Sequence, residues 1–329
     1  SDDIIGDGAA GAAQRDASAI NFNNDTEIHF SVDGKADNGL EYGAVIELEA
    51  DINGGDAQDG GTNADKTYVF LQGGWGRVEL GGNTDAAEAL SVNTSTFASA
   101  TGGVDGDFYR YTDIGNAGTA GGTLTGFTGI IRPDLPVANA GNTAANNEDA
   151  TKITYYSPRF AGFQAGVSYA PNSGSTGVTV PGNASAFEDV ITGGLNYAAQ
   201  WDSVGFKAAV TGQNGEGKGP GAANLNAWDA GANISFLGFT LGGSYGNWEE
   251  TLGANTDADY FDLGLGYEAG AFSASATYLN SDTEIAGAED EFENIVLGVD
   301  YKLAPGLVPY AEVSFYDFDG AGAGIANDN

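Results

Sequence analysis

Apolar side chains recur at every second position in one segment of this chain after another, and that period calls for strands with two unlike faces. Over residues 40–52 the apolar face is Leu40, Tyr42, Ala44, Ile46, Leu48, Ala50 and Ile52. The opposite face holds Glu41, Gly43, Glu47, Glu49 and Asp51, with Val45 the one apolar exception. Over residues 26–32, Thr26, Ile28, Phe30 and Val32 alternate with Glu27, His29 and Ser31. The same pattern continues from Phe163/Ala165/Val167/Tyr169 to Ile295/Leu297/Val299/Tyr301 and Leu307/Pro309/Ala311/Val313/Phe315. Helical spacing fits none of these stretches.

The links between strands alternate short and long. Short links fall near 35–39, 73–76, 160–162, 202–203, 238, 269–271 and 304–306, each with a turn former. Long links cover roughly 53–65, 83–150, 171–189, 214–226, 249–257 and 281–291. The strands between them number fourteen, grouped as hairpins. Short turns at one end and long loops at the other describe an all-β, transmembrane, antiparallel up-and-down β-barrel. The alternation predicts one more strand before Ser1 and one after Asn329, sixteen in all, since an even number closes such a barrel without edges. A soluble sandwich also has one apolar face per sheet, but strict up-and-down order over fourteen strands is foreign to it. Aromatics at the ends of the apolar faces (Tyr42, Tyr169, Trp201, Trp228, Tyr245, Tyr267, Tyr278, Tyr301 and Phe315) read as interfacial girdles.

Composition narrows the function. Asp and Glu number 46 against 11 Lys and Arg, for a net charge of −35. That excludes nucleic acid as a partner, because phosphate contacts need a basic patch. With no cysteine, disulfides, thiolate metal sites and cysteine nucleophiles are excluded together. No apolar run approaches the ~20 residues of a membrane helix. The alternation predicts that the charge sits in loops and on inward faces, with the outward faces almost free of it.

The link over residues 83–150 is far longer than ordinary loops. Its acids are Asp85, Glu88, Asp105, Asp107, Asp113, Asp134, Glu148 and Asp149, and its bases Arg110 and Arg132. Phe97, Phe108, Tyr109, Tyr111, Phe127, Ile130, Ile131 and Leu135 give it apolar groups that a solvated loop has no use for. The surface available to them is the inside of the barrel, where such a segment narrows the lumen.

Three stretches carry a family resemblance. They are Asn38-Gly-Leu-Glu-Tyr-Gly-Ala, Thr67-Tyr-Val-Phe-Leu-Gln-Gly-Gly-Trp-Gly-Arg-Val-Glu-Leu-Gly-Gly with Asp85-Ala-Ala-Glu-Ala-Leu, and Tyr155-Tyr-Ser-Pro-Arg-Phe-Ala-Gly-Phe with Gly166-Val-Ser-Tyr. Together they resemble the general porins of Gram-negative outer membranes, the alphaproteobacterial, Rhodobacter-type porins in particular. The resemblance implies a single porin barrel domain over 1–329, sixteen strands, a homotrimer, and a third loop (about 84–150) folded into the pore. It also implies outer-membrane lipid and lipopolysaccharide as surroundings and small hydrophilic solutes as cargo, with no enzyme chemistry. Outward Val78 and Leu80 place Arg77 and Glu79 on the lumen side. The eyelet candidates are Arg77, Glu79, Asp105, Asp107, Arg110, Asp113, Arg132 and Asp134, with Glu27, Glu41, Glu47 and Glu49 as inward wall acids. Arg110 and Arg132 either line the hole or pair with acids of their own loop. A wall short of arginines favours cations. The alternative is a channel specific for a sugar or another small nutrient, for which Tyr68, Phe70 and Tyr156 are the aromatic candidates.

Other motifs carry less. His29 is the only histidine, and the GxSxG match over residues 242–246 lies inside a strand, where a nucleophile elbow cannot form. Gly215-Glu-Gly-Lys-Gly has no helix after it, so a phosphate loop is not expected. No cofactor is called for. Ca²⁺ at acidic loops, above all residues 281–291, stands beside simple solvation of those carboxylates.

Overall fold

The computed structural model describes residues 26–49, 64–97, 104, 133, 150–173, 187–249, 256–285 and 288–320. Fourteen strands form one antiparallel sheet in chain order. They are β1 (Glu27–Lys35), β2 (Glu41–Glu49), β3 (Ala64–Gly73), β4 (Gly76–Gly82), β5 (Lys152–Tyr156), β6 (Phe163–Asn172) and β7 (Phe187–Trp201). Then follow β8 (Val204–Gly217), β9 (Leu225–Phe236), β10 (Phe239–Glu249), β11 (Thr256–Ala269), β12 (Phe272–Ile285), β13 (Ala288–Tyr301) and β14 (Tyr310–Gly320). Helix α1 (Ala86–Leu90) and a 3₁₀ turn (Ser95–Phe97) follow β4. No helix among the described residues is long and apolar enough to cross a membrane.

Turn chemistry sets the register. Between β9 and β10 the chain reverses at Leu237 (φ 49°) and Gly238 (φ 85°), two left-handed residues in a row. That twist matches the twist of paired strands and fixes Phe236 opposite Phe239. Once register is fixed, a period of two fixes every face. One face exposes Leu195, Val210, Ile234, Leu241, Leu263, Leu265, Leu297 and Val313, too much apolar surface for water and suited to lipid. Aromatic pairs bound this face. Phe239–Tyr267 (centroids 4.5 Å apart) and Phe163–Tyr197 (4.7 Å) lie toward the short turns. Trp228–Tyr245 (5.6 Å) and Phe261–Tyr278 (5.7 Å) lie toward the long links.

One expectation is corrected by the strand lengths. β11, β12 and β13 run 14 residues each, beyond the 9–11 that a tilted strand needs to cross a bilayer. The stretch 281–291, read as a loop, is therefore largely strand, while 218–224 within the link read over 214–226 does connect β8 to β9. Above the upper aromatic pairs the faces exchange character. Outward positions become Asp257, Asp259, Asp282, Glu284, Glu289, Glu291, Glu293 and Asp317, joined by cross-strand pairs such as Asp259↔Asp282 and Asp282↔Glu291. Inward positions become Trp248, Tyr260, Leu279, Phe292 and Val296, which cluster with Ala87 and Val104 of the long link. The outward face is thus charge-free only across the membrane band. At the short-turn end, Leu307 lies in a turn bridged to Ala304, and β14 starts later than the alternation suggested, at Tyr310.

Candidate functional site

The described start of the long link, residues 85–97, lies as a strap across the polar face of the sheet. The sequence reading had no helix there, although Asp85 and Glu88 have the spacing of a helix start. Asp85 caps α1 by accepting from Ala87 N (2.9 Å) and Glu88 N (3.2 Å), and the short helix packs on β5 to β8. Farther along, the 3₁₀ turn reaches β11 and β12. One short segment thus touches both β5–β8 and β11–β12, so the polar face is concave around it.

Wall side chains hold the strap by its backbone. Ser168 Oγ accepts from Ala86 N (2.8 Å), and Asn196 Nδ2 donates to Leu90 O (2.9 Å). Asn233 Nδ2 donates to Asn93 O (3.1 Å), and Asp262 Oδ1 accepts from Thr94 N (3.1 Å). Asp262 also accepts from Ser244 Oγ, so the serine of the GxSxG match belongs to this anchoring. Glycine makes the room. A Cβ at Gly231 would overlap the Val92 carbonyl oxygen, and one at Gly264 would lie 2.7 Å from Thr94 Cβ and 2.9 Å from Phe97 Cδ2. None of these wall anchors was singled out from the sequence. A lone Asn, Ser or Gly on a polar strand face gives no signal until its partner is known.

Charge on the inner wall is concentrated away from the strap. On the inner face of β1–β4 stand Glu27, Asp33, Glu41, Glu47 and Glu79, together with Lys35, Lys66 and Arg77, by the register of these strands. The bases are paired: Lys35 Nζ with Glu41 (2.8 Å), Lys66 Nζ with Glu47 (3.6 Å), and Arg77 Nε with Glu79 (2.5 Å). Arg77 also donates to Gln72 Oε1 (3.2 Å) and lies over the Phe70 ring at 3.9 Å. Glu79, 6% exposed, accepts a further bond from Asn83 Nδ2 (2.6 Å). His29 Nε2 is 2.6 Å from Glu27 Oε2, and its Nδ1 is 3.6 Å from Glu47 Oε1. Glu49 ends β2 opposite Glu27. Asp105, Asp107, Arg110, Asp113, Arg132 and Asp134 lie outside the described residues. Lys152 is buried on β5 and donates to Ala150 O (3.0 Å).

Two cavities flank the strap. One, of about 550 Å³, is lined by Gln72, Arg77, Glu79, Tyr156, Arg159 and Gln164 among others. The other, of about 690 Å³, lies between the 3₁₀ turn and the short-turn half of β7–β12. Among the described residues no group of three or more His, Asp or Glu side chains is placed to hold a metal ion. The carboxylates of 281–291 lie along paired strands rather than around a loop.

Known proteins share this fold. The pattern of a family described as Gram-negative porin matches residues 4–321. The chain belongs to the Gram-negative porin family. A "Monosaccharide porin" of Halomonas sp. is 24% identical over 334 residues, 93% of this chain and 82% of that protein. A porin of Rhodobacter capsulatus is 30% identical over 138 residues, 39% of each chain. Among solved structures, the anion-selective porin from Comamonas acidovorans superposes with a TM-score of 0.62 at 21% identity, covering 89% of this chain and 78% of its own. This porin is a β-barrel channel of the outer membrane that passes small solutes, and it is not an enzyme.

Proposed function

We propose that this porin is a cation-preferring general diffusion channel, assembled as a homotrimer among outer-membrane lipid and lipopolysaccharide, with the link of about 84–150 as its constriction loop. The observation that carries the ion preference is the pairing on β1–β4. Each of the three bases there is matched to a carboxylate, and the five acids outnumber them. A lumen lined by fixed negative charge in excess raises the local concentration of cations. The strap's seat on the inner wall supports the constriction reading. Asp105, Asp107, Asp113 and Asp134, with Arg110 and Arg132, are the loop charges proposed for the eyelet.

A second reading, a channel specific for a sugar, is favoured by the inner-face aromatics Tyr68, Phe70 and Tyr156 and by the name of the Halomonas relative. Liposome swelling with graded neutral sugars separates the two. General diffusion predicts rates that fall smoothly with solute mass and never saturate. Saturation by one sugar, with exclusion of smaller ones, would replace it with the specific channel. A trimer band on unheated gels that collapses to monomer on heating is expected, and a monomer before heating would contradict the assembly.

A further inference from the structure

Eight of the Lys and Arg residues are described: Lys35, Lys66, Arg77, Lys152, Arg159, Lys207, Lys218 and Lys302. Seven of them have partners. Four are in ion pairs: Lys35, Lys66 and Arg77 as above, and Lys302 with Glu268 (2.8 Å). Lys152, Arg159 and Lys218 donate to carbonyl or amide oxygens. Among these eight described bases, Lys207 alone forms neither a hydrogen bond nor an ion pair. Its place on β8 is opposite Asn233 of β9 and Ala198 of β7, on the inner face, and the side chain is exposed. In a chain with a net charge of −35, an ammonium left without a carboxylate needs a reason.

Its surroundings are polar and roomy. Lys207 lines the cavity of about 690 Å³ with Gln200, Asn233, Ser235, Thr240 and Phe97. This lining offers amide and hydroxyl groups beside one ring, within the size range of small-molecule sites. The acid of the same cavity, Glu268, is engaged with Lys302. The cavity is bounded by the strap's 3₁₀ turn, on the short-turn side of the anchored backbone.

We propose that Lys207 contacts permeating solutes and that its recess takes small polyhydroxylated anions, a carboxylate or phosphate meeting the ammonium while hydroxyls bond to Gln200, Asn233 and Ser235. This rests on the channel reading and adds a local anionic step to a lumen whose overall preference is for cations. Amide and hydroxyl groups around the recess give orientation, and the free charge gives the sign of the ligand. A single lumen charge acting through water-like dielectric and physiological screening changes ion occupancy about two- to three-fold.

The test is single-channel current of the native trimer in planar bilayers, with gluconate or glucose added as probe. Gluconate is expected to reduce the current in a concentration-dependent way, and glucose at the same concentration to have a smaller effect. Lys207→Gln should abolish the difference and raise the cation-to-chloride permeability ratio about two- to three-fold, while Lys207→Arg should retain the difference. Lys207 has no partner to lose, so the variant barrel is expected to fold, as its heat-modifiable band would report. Equal effects of gluconate and glucose on the native channel, or gluconate block unchanged in Lys207→Gln, would overturn the proposal. Absence of any channel current from the native protein would instead overturn the channel reading beneath it.

Discussion

Replacing Gly264 by alanine places a methyl group against the strap. The new carbon would stand 2.7 Å from Thr94 Cβ and 2.9 Å from Phe97 Cδ2, where carbon pairs settle at about 3.5–4.0 Å. Relief requires the strap to lift by roughly 1 Å, because both neighbours close on the same atom. Overpacking of this kind costs about 1–3 kcal/mol. The Thr94 N to Asp262 bond (3.1 Å) and the Asn233 to Asn93 bond (3.1 Å) lie within the lifted stretch. Each contributes about 1 kcal/mol when made, so the two penalties are comparable and the strap's hold is expected to fail. The barrel keeps its ladders, since β11 pairs with β10 and β12 through backbone that a methyl group does not touch. Single-channel recording should show the native current level replaced by a fluctuating one, with a shifted exclusion limit for neutral solutes. Gly264→Val should exaggerate both effects. A variant with native current level, native noise and native exclusion limit, in an intact trimer, would refute the claim that the strap borders the conducting path.

The remaining predictions concern charge. Arg77→Ala leaves buried Glu79 with Asn83 as its bonded partner and should destabilise the barrel by about 1.5–3 kcal/mol, measured by melting in detergent. It also adds one net negative charge to the inner wall, so the reversal potential should move further toward cations, and a move toward chloride would contradict the assignment. Asp282 lies above the aromatic girdle, where burial, followed by repulsion from Glu291, Asp259, Glu289 and Glu293, raises its pKa. A carboxyl raised in the folded state contributes stability once protonated and loses that contribution as pH climbs through the raised value. At pH 7 its charge opposes folding, so Asp282→Asn should melt higher than the native porin, by about 0.2–1 kcal/mol. The gap should close toward pH 4 and shrink in high salt. Equal melting at pH 7 in low salt would remove the repulsion from the account.

The strand order was legible because lipid on one side and water on the other write a period of two into the sequence. Phe261, Leu263 and Leu265 against Asp262 and Gly264 show it plainly. Reading failed where that contrast reverses. Above the membrane, Asp282 and Glu284 face water outside while Leu279 faces the strap's cluster inside, so the stretch looks like a charged loop. Arg77 and Glu79 could be placed from Val78 and Leu80, because neighbours on one strand fix each other's faces. Their mutual ion pair could not, since alternation gives direction without distance. The wall anchors were illegible for the same reason. Asn196 and Leu90 are 106 positions apart, and nothing local in either sequence stretch announces the other.

The reversal potential of the native trimer across a tenfold KCl gradient tests the central claim most directly. Carboxylates in excess over paired bases on β1–β4 predict a potential of the sign set by potassium, fading as ionic strength rises and the fixed charges are screened. A potential of the sign set by chloride, under the same gradient and at low salt, would contradict it.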